Sequence, residues 1–593
     1  MLRRRQMMTD RMRTNRKTEE KKMSMSKNIA RLAVTAGLTA ALSFGGVMAP
    51  VTMAFADDGD NSITITQSEG NASTTFKAYQ IFKADVVDPT EEGTADKIVS
   101  NVKWADDVEP SVQNAIIAAI EADSKYETSN PKLPNKATAQ DVADWLTKNV
   151  TGTNAETAVN KDHLLNKIAG IVKSGVTATG SSFLAGNSFT VPNDENNSPK
   201  TGYYLFLTDE SSLSTSEAAK KNTGTSPIFA VVGGSSVTVT EKTSIPTVEK
   251  EVLEGGNWGK VSDSYIGEEV EYKLTGHVAS NIDTFTKYEY TFQDHLSVGL
   301  EAIKSSVEVK INGQVIQPAN GYTVDLVDTK NASGNLTGGQ DLTISFSNLK
   351  DAAAAAGVTL RGDSKVVVTY KAKLTDKAEY TATGNTNDVK LVYSNNPMVE
   401  GTGTSTPERV TDHVFRLDVT KVEKDNQNQK LEATFQVKMT KEGDTSLKTN
   451  RWLTQTGGIT ENEKDAGKFK TDKETGKIYI PGLVEGTYEI TECNTPAGYN
   501  TLAPFTITVK PKYNADGSLQ SLDVTSSNTE MVTSSATNDA TIPVTIQNKK
   551  GSGLPLTGLN GVTFTWIAGG AVLCIGVAHL IRSRKQAEES EQG

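Results

Sequence analysis

The sequence GLVEGTYEITE, residues 482–492, is followed by PAGY, residues 496–499. From Thr487 onward apolar and polar side chains alternate, as they do along a half-buried β-strand, and Tyr488 and Ile490 share one face. Glu492 continues that face. Because a carboxyl group on a buried face is costly unless other polar groups pair with it, this stretch predicts a β-domain that holds an acid and its partners in its core.

Partners for this acid are expected at the two ends of the same domain, residues 410–550. Lys421 continues the apolar face of the opening strand after Leu417 and Val419, and Asn548 continues that of the last strand after Ile546. The alternative is a plain salt bridge between Lys421 and Glu492, with Asn548 in a turn. The strands predicted for this domain are Phe415–Val422, Ala433–Met439, Lys477–Ile480, Thr487–Thr491, Phe505–Val509 and Ile542–Ile546.

Residues 246–409 predict a second β-sandwich. Short strand-like runs alternate with turn residues such as Asn312-Gly313, and Ala352–Ala356 is the only plausible helical turn. The predicted strands include Tyr272–Leu274, Tyr288–Phe292, Val307–Ile311, Leu342–Phe346, Val366–Tyr370 and Val389–Tyr393.

The second sandwich also has polar residues on apolar faces. Lys250 falls on the inner face of the first strand, Asn387 falls on that of the last strand, and Asp294 follows a central strand. Asn385 has the same parity as Asn387, and Asn395 is close by. The sequence therefore leaves the amide partner of Lys250 open.

Residues 57–245 predict an α+β head domain. Ser62–Thr66 and Phe76–Phe82 have strand-like patterns, and strands return at Gly202–Leu207, Ile228–Val232 and Ser236–Thr240. Between them three segments have apolar residues at helical spacing. These segments are Pro110–Ala122, a helix capped by Thr138 and Leu164–Val172.

Both ends of the chain predict export. Residues 1–56 contain a basic segment, an apolar run from Leu32 to Ala49 and the small residues Ala54-Phe55-Ala56, which together are typical of a signal peptide. Near the other end, 551–558 form a linker and the motif LPLTG, 559–581 form an apolar membrane span, and 582–593 form a basic cytoplasmic tail. The motif consists of Leu554, Pro555, Leu556, Thr557 and Gly558.

Composition narrows the classes of function. The net charge of −11 and the absence of a basic block between the terminal segments argue against a nucleic-acid partner. Of the two cysteines, Cys574 lies in the predicted span, so Cys493 has no partner and covalent reinforcement would need chemistry other than a disulfide. The five histidines lack metal-ligand spacing, and no catalytic motif is recognisable. The sequence predicts a protein that is not an enzyme and needs no metal or cofactor.

These motifs together resemble those of Gram-positive backbone pilins that sortases assemble. LPLTG, an apolar span and a basic tail resemble a cell-wall sorting signal; residues 482–499 resemble the E-box region of collagen-adhesin B-type repeats; residues 246–409 resemble A-type pilin domains. The segments FKAYQIF, residues 76–82, and TGYYLFL, residues 201–207, resemble the head domain of these subunits. The resemblance implies a mainly β fold, with tandem immunoglobulin-like sandwiches of the A-type and B-type collagen-adhesin folds behind an α+β head.

The same resemblance implies how copies would be joined. A class C-type sortase would cut between Thr557 and Gly558 and pass the threonine carbonyl to a lysine of the next copy. The position of that lysine, shortly before Ile245-Pro246-Thr247, points to Lys242, although Thr240-Glu241 replaces the usual Tyr-Pro. The implied partners are sortase, further copies of the chain and peptidoglycan; accessory pilins and host surface ligands stay open. The implied location is the cell wall and a surface fimbria, after transient membrane anchoring.

The resemblance also implies intramolecular isopeptide bonds. A buried lysine amine attacks an asparagine amide with loss of ammonia, assisted by a nearby acid. The implied sets are Lys421 with Asn548 and Glu492, and Lys250 with Asn387 and Asp294; the head domain has no convincing set. The leading hypothesis is a pilus backbone subunit that supports adhesion. The alternative is a singly wall-anchored adhesin that binds host protein or glycan.

Overall fold

The computed structural model describes residues 60–551 except 69–70, 72–73, 89–96, 130, 151–159, 214–222, 331–332, 334–335 and 444–447. The predicted signal peptide, sorting motif, membrane span and tail lie outside the described residues. Among the helices that are described, none is long and apolar enough to cross a membrane. The predicted fold class, a mainly β chain with tandem β-domains behind an α+β head, is confirmed.

The head domain combines two sheets with three helices in its described part. Its strands are β1 Ser62–Thr66, β2 Thr75–Val87, β3 Ile98–Trp104, β4 Phe183–Leu184, β5 Ser188–Thr190, β6 Gly202–Thr208, β7 Ile228–Val232 and β8 Val237–Thr240. Its helices are α1 Pro110–Glu121, α2 Ala139–Asn149 and α3 Leu164–Gly175. The predicted cap is present, because Thr138 and Asp141 bond reciprocally at the start of α2.

The order of the head strands brings the end of this domain back to its beginning. One sheet has the order β5-β1-β8, with β1 and β8 parallel, and the other has the order β3-β2-β6-β7, with β4 on β2. The helices pack their apolar faces on the second sheet, where Ile116, Leu165 and Leu205 share one core. The first sheet packs against the opposite face of the second sheet, where it contacts residues such as Phe206. The segment after β8 therefore leaves the head beside its first strand.

The second domain is a sandwich of two sheets. Its elements are β9 Thr247–Glu254, β10 Asn257–Gly259, β11 Val261–Asp263, β12 Glu269–His277, β13 Tyr290–Leu296, β14 Leu300–Ile311, β15 Gln314–Ile316, β16 Tyr322–Lys330, β17 Leu336–Phe346, α4 Leu349–Ala355, β18 Lys365–Leu374, β19 Asn385–Ser394, β20 Thr402–Thr404 and β21 Glu408–His413. The sheet orders are β10-β9-β12-β18-β14-β15 and β11-β21-β19-β13-β17-β16, with β20 on β19.

Two details of this domain differ from the sequence-based expectation. The predicted strand ending at Phe292 continues to Leu296, so Asp294 lies inside β13 and points to the core. The domain also extends past residue 409, because β21 pairs with β19 and with β11. Val410 is 1% exposed and belongs to the second core, which explains why the chain stays in this domain until His413.

The third domain is also built from two sheets. Its strands are β22 Phe415–Glu423, β23 Thr434–Glu442, β24 Lys448–Leu453, β25 Ile459–Thr460, β26 Phe469–Lys470, β27 Lys477–Leu483, β28 Gly486–Asn494, β29 Phe505–Tyr513, β30 Leu519–Ser526, β31 Val532–Ser534 and β32 Thr541–Asn548. The sheets have the orders β27-β22-β32-β31 and β25-β24-β23-β28-β29-β30, with β26 on β23. The first strand, β22, and the last strand, β32, run parallel as direct neighbours.

The GLVEGTY segment forms the tight connection between β27 and β28. Gly482 has a φ of +82°, and a Cβ there would come within 1.8 Å of the Gly457 carbonyl oxygen, so the position requires glycine. The Tyr488 hydroxyl is buried and donates to the Val484 carbonyl oxygen at 2.9 Å while accepting from the Val484 amide at 2.8 Å. One side chain thus fixes the turn from which the strand that carries Glu492 begins.

We expect Tyr488→Phe to lower the free energy of unfolding of the third domain by about 1–3 kcal/mol, because both Val484 backbone groups lose their buried partner. Chemical denaturation of the full chain measures the change. Tyr479→Phe is the matched control, since Tyr479 lies on β27, the preceding strand along the chain, and is 52% exposed. Equal stability of the two variants would contradict this role for the Tyr488 hydroxyl.

Candidate cross-link sites

Lys421, Glu492 and Asn548 meet in the core of the third domain. Lys421 Nζ donates a hydrogen bond to Asn548 Oδ1 and lies 3.2 Å from Glu492 Oε1. Asn548 Nδ2 donates to Glu492 Oε1 at 3.0 Å and to Oε2 at 3.1 Å. Lys421 and Asn548 are fully buried, and Glu492 is 6% exposed. The parallel pairing of β22 and β32 brings lysine and asparagine together, and β28 supplies the acid from the facing sheet.

The surroundings of this cluster make the lysine amine easier to deprotonate. Burial lowers the pKa of Lys421 to about 8, although Glu492 opposes the shift. The segment after PAGY closes the site: the Leu502 amide donates to Glu492 Oε2 at 2.7 Å, and the Asn500 carbonyl oxygen accepts from Asn548 Nδ2 at 3.1 Å. The Phe435 ring lies 5.4 Å from Lys421 Nζ. Lysine and asparagine are therefore held in contact, away from water.

Lys250, Asp294 and Asn387 form a comparable cluster in the second domain. Lys250 Nζ donates to both carboxylate oxygens of Asp294 at 2.6 Å and to Asn387 Oδ1 at 2.9 Å. All three are 2% exposed or less. Lys250 comes from β9 in one sheet, while Asp294 and Asn387 come from neighbouring strands of the other. This cluster therefore bridges the two sheets of the sandwich.

The other two asparagines that the sequence left open have different environments. Asn385 is buried, but its amide bonds the backbone at Glu379 and at Asp412. Asn395 lies at the junction with the head, where its carbonyl oxygen accepts from the Gly224 amide at 2.5 Å. The side chain that contacts Lys250 Nζ is that of Asn387.

Burial also shifts the pKa values of the second cluster toward an uncharged pair. It lowers the pKa of Lys250 and raises that of Asp294, and in each case the partner's charge opposes the shift. A fourth residue, Tyr370 of β18, joins the cluster with its hydroxyl. The sequence analysis missed Tyr370. Tyr370 lies on the apolar face of β18, and this position indicates a polar partner in the core, because a buried tyrosine hydroxyl usually has a hydrogen-bond partner.

The amine of Lys242, the lysine that the resemblance implies as the linking residue, is not exposed. Strand β8 ends at Thr240, and Lys242 lies in the following segment, where its amide donates to Thr225 Oγ1 at 2.8 Å and its carbonyl oxygen accepts from the Ser226 amide at 3.0 Å. These bonds hold the backbone against the head. The amine is consequently buried, and Nζ has no hydrogen-bond partner among the residues described. Burial lowers its pKa to about 8.

The residue before Lys242 fixes the same segment. Glu241 is 3% exposed, and its carboxylate accepts from the Ser68 amide at 2.9 Å, from Asn71 Nδ2 at 2.7 Å and from Thr74 Oγ1 at 3.1 Å. In the sequence, Glu241 stands out only as part of the Thr240-Glu241 pair that replaces the usual Tyr-Pro. Its position shows that a charged residue at the end of β8 ties the segment to the start of the head domain.

Comparisons with known proteins agree with the predicted pilin-type domain. Residues 415–527 match the family model described as "SpaA: Prealbumin-like fold domain". This match covers most of the third domain and includes the segment 482–499. No curated protein matches the chain.

Solved structures of backbone pilins are among those similar to the chain. The T6 backbone pilin of serotype M6 Streptococcus pyogenes is 16% identical, with a TM-score of 0.45, 84% of this chain covered and 100% of that one. The major pilin SpaA of Corynebacterium diphtheriae is 14% identical, with a TM-score of 0.43, 82% of this chain covered and 100% of that one.

The buried amine of Lys242 predicts a stability that depends on pH. Its pKa is about 8 in the folded chain and near its ordinary value of 10.5 when unfolded. Between these values the unfolded chain binds more protons, so the stability of the wild type rises with pH. We expect Lys242→Met to be more stable by about 1–3 kcal/mol below pH 8, and the difference to vanish as the pH approaches 10.5.

Thermal unfolding of the full chain between pH 7 and 10 measures this difference. Lys477→Met is the matched control, because Lys477 is exposed. A constant difference between Lys242→Met and wild type over this range would show that the Lys242 amine does not titrate with a lowered pKa.

Proposed function

We propose that this chain is the backbone subunit of a covalent pilus anchored to the bacterial cell wall. A sortase breaks the bond between Thr557 and Gly558 and joins the Thr557 carbonyl to the Lys242 amine of the next copy. The proposal is carried by one observation: each β-domain between these two residues encloses a buried lysine in contact with an asparagine amide and a carboxyl group. Such clusters suit a shaft that must resist tension.

Within each β-domain the lysine and the asparagine form an isopeptide bond. The lysine amine gives a proton to the acid and attacks the asparagine Cγ; the Cγ–Nδ2 bond then breaks, and ammonia leaves with that proton. Lys421, Asn548 and Glu492 have these roles in the third domain, and Lys250, Asn387 and Asp294 have them in the second. Their contacts of 2.6 to 3.2 Å support this assignment.

The positions of these bonds suit a mechanical role. In each β-domain the lysine lies on the first strand, β9 or β22, and the asparagine lies near the start of β19 or at the end of the last strand, β32. Force along the third domain would enter at β22 and leave at β32, so a bond between them carries the load. Hydrogen bonds that contribute only about 1 kcal/mol each would otherwise bear it.

Joining copies through Lys242 requires access to its amine. The junction around it is held by Gly224 with Asn395 and by the hydroxyls of Thr223 and Tyr393, 3.1 Å apart. This junction must open for the sortase thioester to reach Nζ. The lowered pKa supports Lys242 as acceptor, because a neutral amine is the nucleophile that the transfer needs.

The internal bonds predict a loss of two ammonia molecules from the full chain. Tryptic peptides should include one pair joined through Lys250 and Asn387 and another joined through Lys421 and Asn548. We expect Asp294→Ala to abolish only the first pair and Glu492→Ala only the second, because each acid contacts the lysine of its own domain. Mass spectrometry of the digests measures both. If the wild-type digest contains only unlinked forms of these peptides, the proposed bonds are contradicted.

Polymerisation predicts a ladder of high-mass bands on surface blots that survives boiling in detergent. Lys242→Ala should reduce it to monomer in cells with an active pilin sortase. Lys103→Ala is the control, since Lys103 is an exposed lysine of the same domain. A ladder that persists in Lys242→Ala would place the linkage on another lysine. A wild type without any ladder would favour a singly anchored adhesin.

A further inference from the structure

The Tyr370 hydroxyl lies among the polar groups of the second-domain cluster. It donates to Asp294 Oδ2 at 2.8 Å, accepts from Asn387 Nδ2 at 2.7 Å and lies 3.3 Å from Lys250 Nζ. Tyr370 is 1% exposed, and its ring stacks on that of Tyr272 at 5.3 Å. The hydroxyl is therefore held in one place and connects the acid with the amide nitrogen.

The two β-domains differ in how the acid reaches the amide nitrogen. In the third domain both Glu492 oxygens accept directly from Asn548 Nδ2. In the second domain both Asp294 oxygens contact the lysine, whereas the hydrogen bond of Asn387 Nδ2 goes to Tyr370. The aromatic ring beside the third-domain lysine belongs to phenylalanine, which has no hydroxyl.

This difference matters because an amide nitrogen leaves only after it has gained a proton. The acid takes a proton from the lysine and must then deliver one to Nδ2. Glu492 can do so through its direct contact with Asn548. Asp294 needs an intermediary, and the Tyr370 hydroxyl contacts both its Oδ2 and Asn387 Nδ2.

We propose that Tyr370 is a catalytic residue that relays the proton from Asp294 to the departing nitrogen of Asn387. This inference rests on the cross-link proposed above. Lys250 first gives a proton to Asp294, and its neutral amine bonds to Asn387 Cγ. As the Cγ–Nδ2 bond breaks, Tyr370 gives its hydroxyl proton to Nδ2 and receives the proton of Asp294. The new amide nitrogen then releases its extra proton to the departing ammonia, so the products are the amide bond and an ammonium ion, and both Tyr370 and Asp294 are back in their starting protonation.

Two properties of the site suit a relay. Burial, with a smaller contribution from the charge of Asp294, raises the pKa of Tyr370 well above its ordinary value, so the hydroxyl keeps a proton to pass on. Both hydrogen bonds of the hydroxyl reverse direction once Asp294 is protonated and attack on Cγ has made that carbon tetrahedral, because only then does Nδ2 carry a free lone pair that can accept. No side chain has to move between the two arrangements.

Tyr370→Phe tests the relay with an internal reference. The full chain is made by cell-free translation, synthesis is stopped, and the fractions of Lys250–Asn387 and Lys421–Asn548 peptides are followed with time. We expect Tyr370→Phe to slow formation of the Lys250–Asn387 bond by about 100-fold and to leave the rate of Lys421–Asn548 bond formation unchanged. Tyr288→Phe is the matched control, because Tyr288 is a buried tyrosine of the same core whose hydroxyl has no hydrogen-bond partner in the described part of the chain.

A measurement on the wild type avoids any folding defect of the variant. In D2O, formation of the Lys250–Asn387 bond should be slowed more than formation of the Lys421–Asn548 bond. The reason is that the relay through Tyr370 moves one more proton while the Cγ–Nδ2 bond breaks. Wild-type rates in Tyr370→Phe, or equal slowing of both bonds in D2O, would overturn the relay and leave the cross-link standing. If the wild type never yields the Lys250–Asn387 peptide, the proposed cross-link itself fails.

Discussion

A lysine amine sealed inside each β-domain is the constraint on which the structure of both domains depends. A lone ammonium group in such a core would be costly by several kcal/mol, so each lysine needs partners supplied by other strands. Lys421 has Glu492 and Asn548, and Lys250 has Asp294 and Asn387. The strands that supply these partners are distant in sequence, so the lysine environment is complete only when the whole domain has folded.

The two domains meet this requirement with different arrangements. In the third domain, lysine and asparagine lie on adjacent parallel strands of one sheet, and the acid reaches across from the other. In the second domain, Lys250 and Tyr370 come from one sheet and reach Asp294 and Asn387 of the other. The Asp294 carboxyl group lies next to the lysine amine, and the Tyr370 hydroxyl lies beside the amide nitrogen of Asn387. A buried lysine, an asparagine and an acid therefore meet in two different topologies.

Hydrogen bonds also connect the domains with each other. The Glu485 amide donates to Asp263 Oδ2 at 2.6 Å, and the Leu519 amide donates to the Ala382 carbonyl oxygen at 2.8 Å. Near this junction, burial raises the pKa of Asp412 to about 7. Together with the contacts around Lys242, these bonds make the described part of the chain a continuous series of packed domains.

The sequence by itself determined the elements with strong periodicity and the residues on their inner faces. Helix α2 with its Thr138 cap, the E-box strand and the inward positions of Lys421, Glu492 and Asn548 could be read from it, because side-chain direction follows directly from the period of a helix or strand. Weakly patterned strands such as β30 were missed, since few of their side chains are buried. Tertiary structure alone decided the choice of Asn387, the burial of Lys242 and the participation of Tyr370. Each depends on which strands become neighbours across a sandwich or a domain junction. Local sequence periodicity shows which way a side chain points along its own strand, but it carries no information about which strands pack together.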